Sequence, residues 1–370
     1  MDIYDELGVT KVINGAATLT RFGGSLMPPE VLAAMSEAAR HFVNMDELHR
    51  KVGERIAAWT HNEAAYVSCG AAAGLALSTA ACMTGLDEDK RERLPNTEGM
   101  RNEVIVHRRG LVQYAFAIKQ VGAKLVRIGT EAGADVGELE GAITDRTAAI
   151  TYFANPSFMP GQVSLPTAIE IAHQAGIPVI VDAAAQIPPV ENLWRFTEMG
   201  ADLAIFSGGK GLRGPQASGL VLGRKDLIEA CAFNACPRPF IGRPMKVGKE
   251  ELIGLMTAVQ LYLDQDHEQL MQTYEDQVQL VITAFAGIPH VTARRSFPSE
   301  AGQPMPRAEI ILDEQALGIT RDEAMSQLLG GKPSIALAGA GASGVFVNPQ
   351  TLELGQVAII VDRIKEIITA

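Results

Sequence analysis

Two reactive side chains each follow an apolar run of the kind that forms a buried strand. Lys210 stands in the glycine-dense stretch SGGKG after the apolar residues 203–206, and Asp182 directly follows the apolar residues 177–181. A lysine amine can form an imine with an aldehyde, and a carboxylate can keep a pyridine nitrogen protonated. The pair therefore predicts pyridoxal phosphate (PLP) as the cofactor, with Lys210 and Asp182 as catalytic residues. For Asp182 alone, helix capping is an equally good explanation.

The phosphate of such a cofactor needs a cluster of hydrogen-bond donors. Ser68, Cys69, Gly70 and Ala71 follow a short predicted strand and open a helix of small residues. A helix begins with free backbone N–H groups and a partial positive charge, and both favour a dianion. Ser207, shortly before the lysine, is a further predicted phosphate donor. Close helix packing is the alternative explanation for the small residues.

Two further candidates for cofactor contacts also follow predicted strands. His107 is predicted to cover the cofactor ring, although Arg108 or Arg109 could do the same. Asn155 comes after another strand and is expected to reach the same cofactor. A basic surface cluster is an equally good explanation for residues 107–109.

Two arginines are predicted to bind the substrate. Arg243 lies between a glycine and a proline in residues 236–249, a stretch rich in Pro, Arg and Gly. A guanidinium can bind a carboxylate or a phosphate through two hydrogen bonds, so this stretch predicts a small anionic substrate. Arg109 is the second candidate. A partner protein that contacts the basic stretch is the alternative.

The elements that must position these residues alternate between strand-like and helix-like patterns from residue 64 to residue 223. Such alternation with short links predicts the α/β class, with a mostly parallel sheet that is covered on both faces. Ligands bind beyond the carboxyl ends of the strands in these sheets. Because the candidate residues all follow strands, we expect them to converge there.

The pattern changes after Pro237, which suggests a division of the chain into three parts. Residues 1–27 are expected to form an N-terminal leader segment, and residues 28–245 a large PLP-binding domain. Residues 246–370 are expected to form a small C-terminal α+β domain, which includes one long helical stretch or two at 250–285.

Three other segments have less specific patterns. Lys210 does not fit a Walker A loop, since Gly211 follows it where Ser or Thr is required. Its flanking glycines are instead expected to let a cofactor approach the backbone closely. Residues 339–344 match G-x-G-x-x-G, but a strand-like run follows them, so we predict a hairpin or flexible loop. The charged run 87–93 predicts a solvated helix end or loop.

Composition narrows the possible partners and the compartment. The chain has 370 residues, 47% of them hydrophobic, and a formal net charge of −11, which argues against nucleic acid as a main partner. No apolar run is long enough for a membrane span, and the N-terminus lacks the apolar core of a signal peptide. The 4 cysteines form no Cys-x-x-Cys pair, so we expect reduced thiols and a cytoplasmic location.

Residues 206–217, FSGGKGLRGPQA, resemble the F-S-G-x-K-x-L-x-G-P-Q-A pattern of PLP enzymes related to bacterial selenocysteine synthase. Residues 13–15, 45–48 and 68–74 add to this resemblance, which covers nearly the whole chain. The resemblance implies the fold type I architecture of aspartate aminotransferase, with a large sheet domain and a smaller α+β domain. It also implies a homodimer or higher homo-oligomer, with residues of both subunits in each site.

Two departures from selenocysteine synthase narrow the expected activity. The chain begins directly at the catalytic core, so we expect no tRNA-binding N-terminal domain. It looks more like the shorter relatives that include D-glucosaminate(-6-phosphate) ammonia-lyases and dehydratases. Residues 334–337 lack the arginine that fold type I enzymes often use for a substrate carboxylate, and Lys332 or Arg243 could replace it.

We therefore expect a PLP-dependent lyase that eliminates ammonia and water from a small anionic amino acid or amino sugar acid. Lys210 would hold PLP as an imine and, once freed, would remove the α-proton of the substrate. A PLP-dependent racemase or epimerase is the main alternative. A selenocysteine synthase-type transferase and a non-catalytic PLP-binding protein, which would use residues 238–249 as a contact surface, are less favoured.

Overall fold

The computed structural model describes residues 2–109, 111, 113–158 and 160–369. Numbered along the chain, the strands are β1 Val12–Asn14, β2 Ala64–Ser68, β3 Glu103–His107, β4 Lys124–Ile128, β5 Thr147–Phe153, β6 Val179–Asp182, β7 Leu203–Ser207, β8 Gly219–Gly223, β9 Val291–Ser296, β10 Arg307–Leu312, β11 Ser334–Ala336, β12 Ala338–Ala340 and β13 Gly344–Val347. The helices are α1 Ile3–Leu7, α2 Pro29–Ala38, α3 Met45–Trp59, α4 Ala71–Thr84, α5 Glu88–Arg93, α6 Phe116–Gln120, α7 Val136–Ala142, α8 Leu165–Gln174, α9 Asn192–Glu198, α10 Lys225–Asn234, α11 Lys249–Leu263, α12 His267–Phe285, α13 Glu314–Leu317, α14 Arg321–Gly330 and α15 Gln356–Ile368.

Residues 27–264 form one compact unit around a seven-stranded sheet with the strand order β2-β8-β7-β6-β5-β3-β4. Strands β3 to β7 run parallel to one another, whereas β8 runs antiparallel to both of its neighbours. The predicted α/β class with a mostly parallel sheet is confirmed. The direction of β8 could not be predicted, because its sequence GLVLG is apolar throughout and looks the same in either direction.

Both faces of this sheet are buried, which explains why its central strands are continuous apolar runs. On β3, Ile105 belongs to one buried cluster, and Val104 and Val106 belong to the other. Helices α3, α8, α9 and α11 contribute to the first cluster, and helices α4, α6 and α10 contribute to the second. The loops at the carboxyl edge are therefore anchored on a rigid core.

Residues 1–26 and 265–370 form a second compact unit. Its four-stranded antiparallel sheet has the order β12-β13-β10-β9, and β1 pairs in parallel with β11. Helices α12, α14 and α15 share one buried cluster with this sheet, as in an α+β unit. The domain boundaries that we drew from the sequence stay a prediction.

The starts of two helices are set by capping side chains. Helix α2 ends at Ala38, and the Asn44 side chain then caps α3 by accepting from the Glu47 backbone N–H. The helical stretch predicted at 250–285 is two helices, α11 and α12. They are separated just before Asp266, whose side chain caps α12.

Two segments with weak sequence signals have clear structural explanations. Residues 339–344 lie in the β12–β13 hairpin, as predicted, and Arg321 Nη1 donates to the Gly341 carbonyl at 2.7 Å. The charged run 87–93 contains α5 and is not fully solvated, because Arg91 is buried. Within the described ranges, the structure contains no helix that is long and apolar enough to cross a membrane.

Candidate active site

The two predicted catalytic residues lie at the carboxyl edge of the central sheet. Asp182 is the last residue of β6 and Ser207 is the last residue of β7, and these strands are parallel neighbours. Lys210 lies in the turn that follows β7. The charge of Lys210 acts on the pKa of Asp182, so the structure brings the two side chains within electrostatic reach of each other.

The Asp182 carboxylate is placed to face a cation. Burial raises its pKa, whereas the backbone N–H of Ala184 and the charge of Lys210 act in the opposite direction. The Ala184 nitrogen lies 3.1 Å from Asp182 Oδ1. Because desolvation penalises a carboxylate until a positive charge approaches it, a protonated pyridine nitrogen suits this position.

The glycines near Lys210 pack closely against neighbouring residues, and the expectation that they also let a cofactor approach the backbone stays a prediction. A Cβ on Gly208 would lie 2.0 Å from Ser218 Oγ, and a Cβ on Gly211 would lie 2.3 Å from the Ile187 carbonyl oxygen. Any side chain at these positions would push the turn away from its neighbours. The glycines therefore hold the turn in place and fix the position of the lysine.

The turn between β2 and α4 has the geometry of an anion site. Gly70 has a φ of 136°, a conformation that residues with side chains rarely adopt. Ser68 Oγ donates to the Gly70 carbonyl at 2.8 Å, and a Cβ on Gly219 would lie 2.6 Å from the Ala71 nitrogen. The turn is thus packed from two sides. The N–H groups of the first turn of α4 have no acceptor within the helix and suit a phosphate.

The charge around this turn also suits an anion. Helix α4 has no acidic residue in its first turn. Burial raises the pKa of the Cys69 thiol, so it stays neutral and adds no negative charge. The roles of Ser68, Cys69, Gly70 and Ala71 as phosphate ligands nevertheless stay a prediction.

His107 has an unsatisfied ring nitrogen at the end of β3. The residue is 5% exposed, and its Nε2 has no hydrogen-bond partner among the described residues. Its ring packs edge-to-face against Tyr152, with the centroids 5.4 Å apart. Burial lowers the pKa of His107, so the ring is neutral near pH 7. A neutral, fixed ring with one free nitrogen can cover a cofactor ring or bond to it.

Three other predicted residues have local contacts at the same edge. The Asn155 side chain accepts from the Ser157 backbone N–H at 3.0 Å and from its hydroxyl at 2.6 Å, so it shapes its own turn. The backbone N–H of Ser207 donates to the Ala184 carbonyl at 3.2 Å. The Arg109 carbonyl accepts from Gln162 Nε2 at 2.6 Å. Direct contacts of Asn155, Ser207 and Arg109 with a ligand stay predictions.

Arg243 offers an exposed guanidinium in the loop between α10 and α11. Its Nη1 lies 3.7 Å from Cys236 Sγ, and none of the ion pairs of the described residues involves it. A positive charge without a carboxylate partner is available for an anion. The role of Arg243 in substrate binding stays a prediction.

Sequence reasoning missed Tyr152, which supports His107 from the neighbouring strand. Strands β3 and β5 are paired, with Val106 opposite Thr151. Alternation along a strand could have suggested that Tyr152 faces the same side as the covering ring. The register that brings the two rings together is set by tertiary pairing and could not be derived from the sequence.

Taken together, these residues fit PLP. A half-buried carboxylate lies within electrostatic reach of the lysine, a buried histidine has a free ring nitrogen, and an uncapped helix start lies beside a tight glycine turn. The donor set matches a planar cation with a phosphate group.

Comparison with known proteins supports the same cofactor. Residues 12–276 match the L-seryl-tRNA selenium transferase family. The D-glucosaminate-6-phosphate ammonia lyase of Salmonella typhimurium (strain 14028s / SGSC 2262) is 34% identical over 99% of this chain and 98% of its own length. A 5′-C-glycyluridine monooxygenase-decarboxylase of Streptomyces sp is 33% identical over 90% of this chain and 83% of its own length. The L-seryl-tRNA(Sec) selenium transferase of Solidesulfovibrio magneticus is 30% identical, over 69% of this chain and 56% of its own length.

Solved structures confirm the predicted fold type I architecture. A structure of D-glucosaminate-6-phosphate ammonia-lyase superposes with a TM-score of 0.89 at 33% identity, and the match covers 100% of this chain and 98% of that chain. A serine palmitoyltransferase from S. paucimobilis with a bound PLP–myriocin aldimine has a TM-score of 0.60 at 14% identity, over 96% of this chain and 87% of that chain, which shows the fold alone. The selenium transferase family and the match to the ammonia-lyase imply a PLP cofactor, as predicted.

Proposed function

The chain belongs to the L-seryl-tRNA selenium transferase family, and on that premise we propose that it is a PLP-dependent ammonia-lyase. The proposed substrate is a small anionic amino sugar acid of the D-glucosaminate 6-phosphate type. One observation carries this proposal: the likeness to D-glucosaminate-6-phosphate ammonia lyase extends over 99% of the chain and includes both the sheet and the C-terminal unit. The paired Asp182 and Lys210 support it.

Each site residue has a distinct task in this proposal. When bound, PLP supplies an electron sink for the negative charge that develops at the α-carbon of an amino acid. Lys210 Nζ takes the proton from that carbon and holds it for later delivery. The Asp182 carboxylate holds a proton on the ring nitrogen through an ion pair. The neutral His107 covers the ring without opposing that charge.

Arg243 is the proposed contact for the anionic group of the substrate. Its guanidinium is exposed and can form two hydrogen bonds with a carboxylate or a phosphate. The net charge of −11 makes such a local cation important, since the remainder of the protein repels anions. The same charge argues against the seryl-tRNA substrate named for the selenium transferases. Arg109, which follows β3 at the carboxyl edge of the sheet, is the second candidate.

We further propose a cytoplasmic homodimer or higher homo-oligomer. Several large apolar side chains are exposed on the surface of the chain, Phe42 and Leu354 almost completely. A monomer in water gains nothing from such exposure, whereas burial against a second copy is favourable. Sedimentation of the purified protein measures the oligomer directly.

Product analysis of the purified enzyme with PLP tests the lyase proposal. With D-glucosaminate 6-phosphate, we expect ammonia and a 2-oxo-3-deoxy sugar acid in equal amounts, because each turnover releases one molecule of each. The water lost in elimination is regained in hydrolysis, so there is no net change in water. No release of CO₂ and no consumption of O₂ are expected. Epimerised substrate without ammonia would support the racemase instead, and O₂-dependent decarboxylation would support the chemistry named for the Streptomyces relative.

Two controls make this assay decisive. Unphosphorylated D-glucosaminate distinguishes a requirement for the phosphate from a requirement for the carboxylate alone. The Lys210→Arg variant keeps a positive charge at the turn but cannot serve as the proton acceptor near neutral pH, since arginine stays protonated. Equal ammonia release by this variant would contradict the proposed role of Lys210.

A further inference from the structure

A buried arginine contacts two aromatic rings in the unit that contains the central sheet. Arg91 of α5 is 8% exposed, and its Cζ lies 4.1 Å from the ring centroid of Phe233 and 4.4 Å from that of Phe240. A guanidinium is planar and stacks well on aromatic faces. The arginine thus connects α5 to the last turn of α10 and to the loop that follows it.

Charge pairing does not account for this burial. The described carboxylate partner, Glu92 Oε1, is 3.7 Å from Arg91 Nη2, and the Glu92 side chain is 56% exposed. The buried Nε of Arg91 has no hydrogen-bond partner among the residues that the structure describes. A buried cation is unfavourable unless its surroundings compensate for the loss of water. Among the described contacts of Arg91, the two aromatic rings provide most of this compensation.

Phe240 links the buried arginine to Arg243. Residues 235–248, here called the connecting loop, contain no helix or strand, so an isolated bridge between Ala235 and Gly242, turns and side-chain contacts set their course. The Phe240 carbonyl accepts the backbone N–H of Arg243 at 2.9 Å. A shift of the Phe240 ring would therefore move the backbone from which the Arg243 side chain extends.

We propose that Arg91 is a positioning residue for substrate binding. It stacks on Phe240, holds the connecting loop and thereby sets the point at which Arg243 meets the anionic group of the substrate. This inference rests on the proposed function, since it assigns Arg91 a task in the same substrate site. Arg91 itself touches neither substrate nor cofactor in this account.

The stacked guanidinium is the feature that matters, and substitution at residue 91 can isolate it. Leucine fills part of the space but cannot stack as a cation, and lysine keeps the charge but lacks the planar group. We therefore expect the effects to increase from Arg91→Lys to Arg91→Leu. Arg93→Leu is the matched control, because Arg93 lies on the same helix and is exposed.

Two measurements on the PLP-loaded enzyme test the proposal. Hydrogen exchange should be about tenfold faster in residues 236–243 of Arg91→Leu than in the parent or in Arg93→Leu. With D-glucosaminate 6-phosphate as the probe, KM should rise about tenfold in Arg91→Leu and about threefold in Arg91→Lys, while kcat stays within about twofold. The visible absorption of the bound cofactor should not change.

Each other outcome overturns a defined part of the account. An unchanged rate of hydrogen exchange in the connecting loop of Arg91→Leu would refute the claim that Arg91 stabilises this loop. Faster exchange with an unchanged KM, or an equal loss in kcat and kcat/KM, would refute the positioning role. If Arg91→Leu does not fold, Arg91→Lys decides through the same readouts. If the parent enzyme releases no ammonia from D-glucosaminate 6-phosphate, the proposed function fails and the substrate link fails with it, whereas the exchange data still decide the loop contact.

Discussion

The two edges of the central sheet each hold an acidic side chain, the half-buried Asp182 at one edge and the buried Asp202 at the other, and their surroundings differ. At the carboxyl edge, Asp182 accepts the N–H of Ala184, and burial raises its pKa. At the amino edge, Asp202 is 2% exposed and accepts three described hydrogen bonds, from His173 Nε2 at 3.0 Å, Val179 N at 2.7 Å and Arg224 Nη1 at 2.6 Å.

This difference supports a structural role for Asp202 and the proposed role of Asp182 in binding a ligand. Asp202 joins the ends of α8, β6 and β8 through donors that the protein itself provides, so its charge is compensated in the folded chain. The Asp182 carboxylate is half-buried, and besides the charge of Lys210 it accepts one described hydrogen bond, so the chain compensates its charge less fully than that of Asp202. A group held at an energetic cost is expected where a ligand supplies the missing interaction.

Removal of the Asp202 side chain should affect stability and spare activity. Asp202→Ala leaves a buried backbone N–H without its acceptor and breaks the contact with Arg224. We expect the free energy of unfolding to fall by about 3 kcal/mol, as measured by urea denaturation. The kcat of the folded variant should stay within about twofold of the parent. A tenfold loss of kcat at full PLP occupancy would mean that the amino edge also takes part in function.

Asp182→Asn should give the reverse result. The amide has nearly the same shape but cannot stabilise a positive charge on the ring nitrogen, so kcat should fall about 100-fold. Without PLP, the variant should be at least as stable as the parent at pH 7, because the cost of burying a charge is removed. Paired urea curves with and without PLP measure both effects. A large loss of stability in the PLP-free variant would mean that Asp182 stabilises the fold, as Asp202 does.

The carboxyl edge should also give the PLP-free protein a pH-dependent stability. Burial lowers the pKa of His107, so as the pH falls below about 6.5 the unfolded chain takes up a proton that the folded chain does not. The free energy of unfolding should therefore decrease from pH 7 to pH 5.5. His107→Phe should reduce this slope in urea titrations. An unchanged slope would indicate that other groups, such as the half-buried His49, whose pKa is also lowered, dominate it.

Sequence reasoning predicted the carboxyl edge well for a physical reason. Buried parallel strands are continuous apolar runs, so their ends stand out, and the residues that follow them converge at one edge. Asp182 and Lys210 were therefore found as a pair, and the F-S-G-x-K motif identified the family. The bounds of α3, β4, β8 and β13 also agree with the apolar pattern.

Contacts between distant segments could not be predicted. Positions 208 and 211 leave no room for a side chain, because Ser218 and Ile187 pack against them. No local sequence pattern shows these contacts. Arg91 looked like a solvated residue in a charged run, since its aromatic partners are far away in the sequence. The same holds for the pairing of β1 with β11, because three-residue strands provide too little alternation to specify a partner.

The central claim, that Lys210 binds PLP opposite Asp182, has a direct test. The purified protein is loaded with PLP, reduced with borohydride, digested and analysed by mass spectrometry. We predict that the cofactor is fixed on the peptide that contains Lys210, with loss of its visible absorption band, and that Lys210→Arg takes up no label. Labelling of another lysine, or no labelling at saturating PLP, would contradict the account.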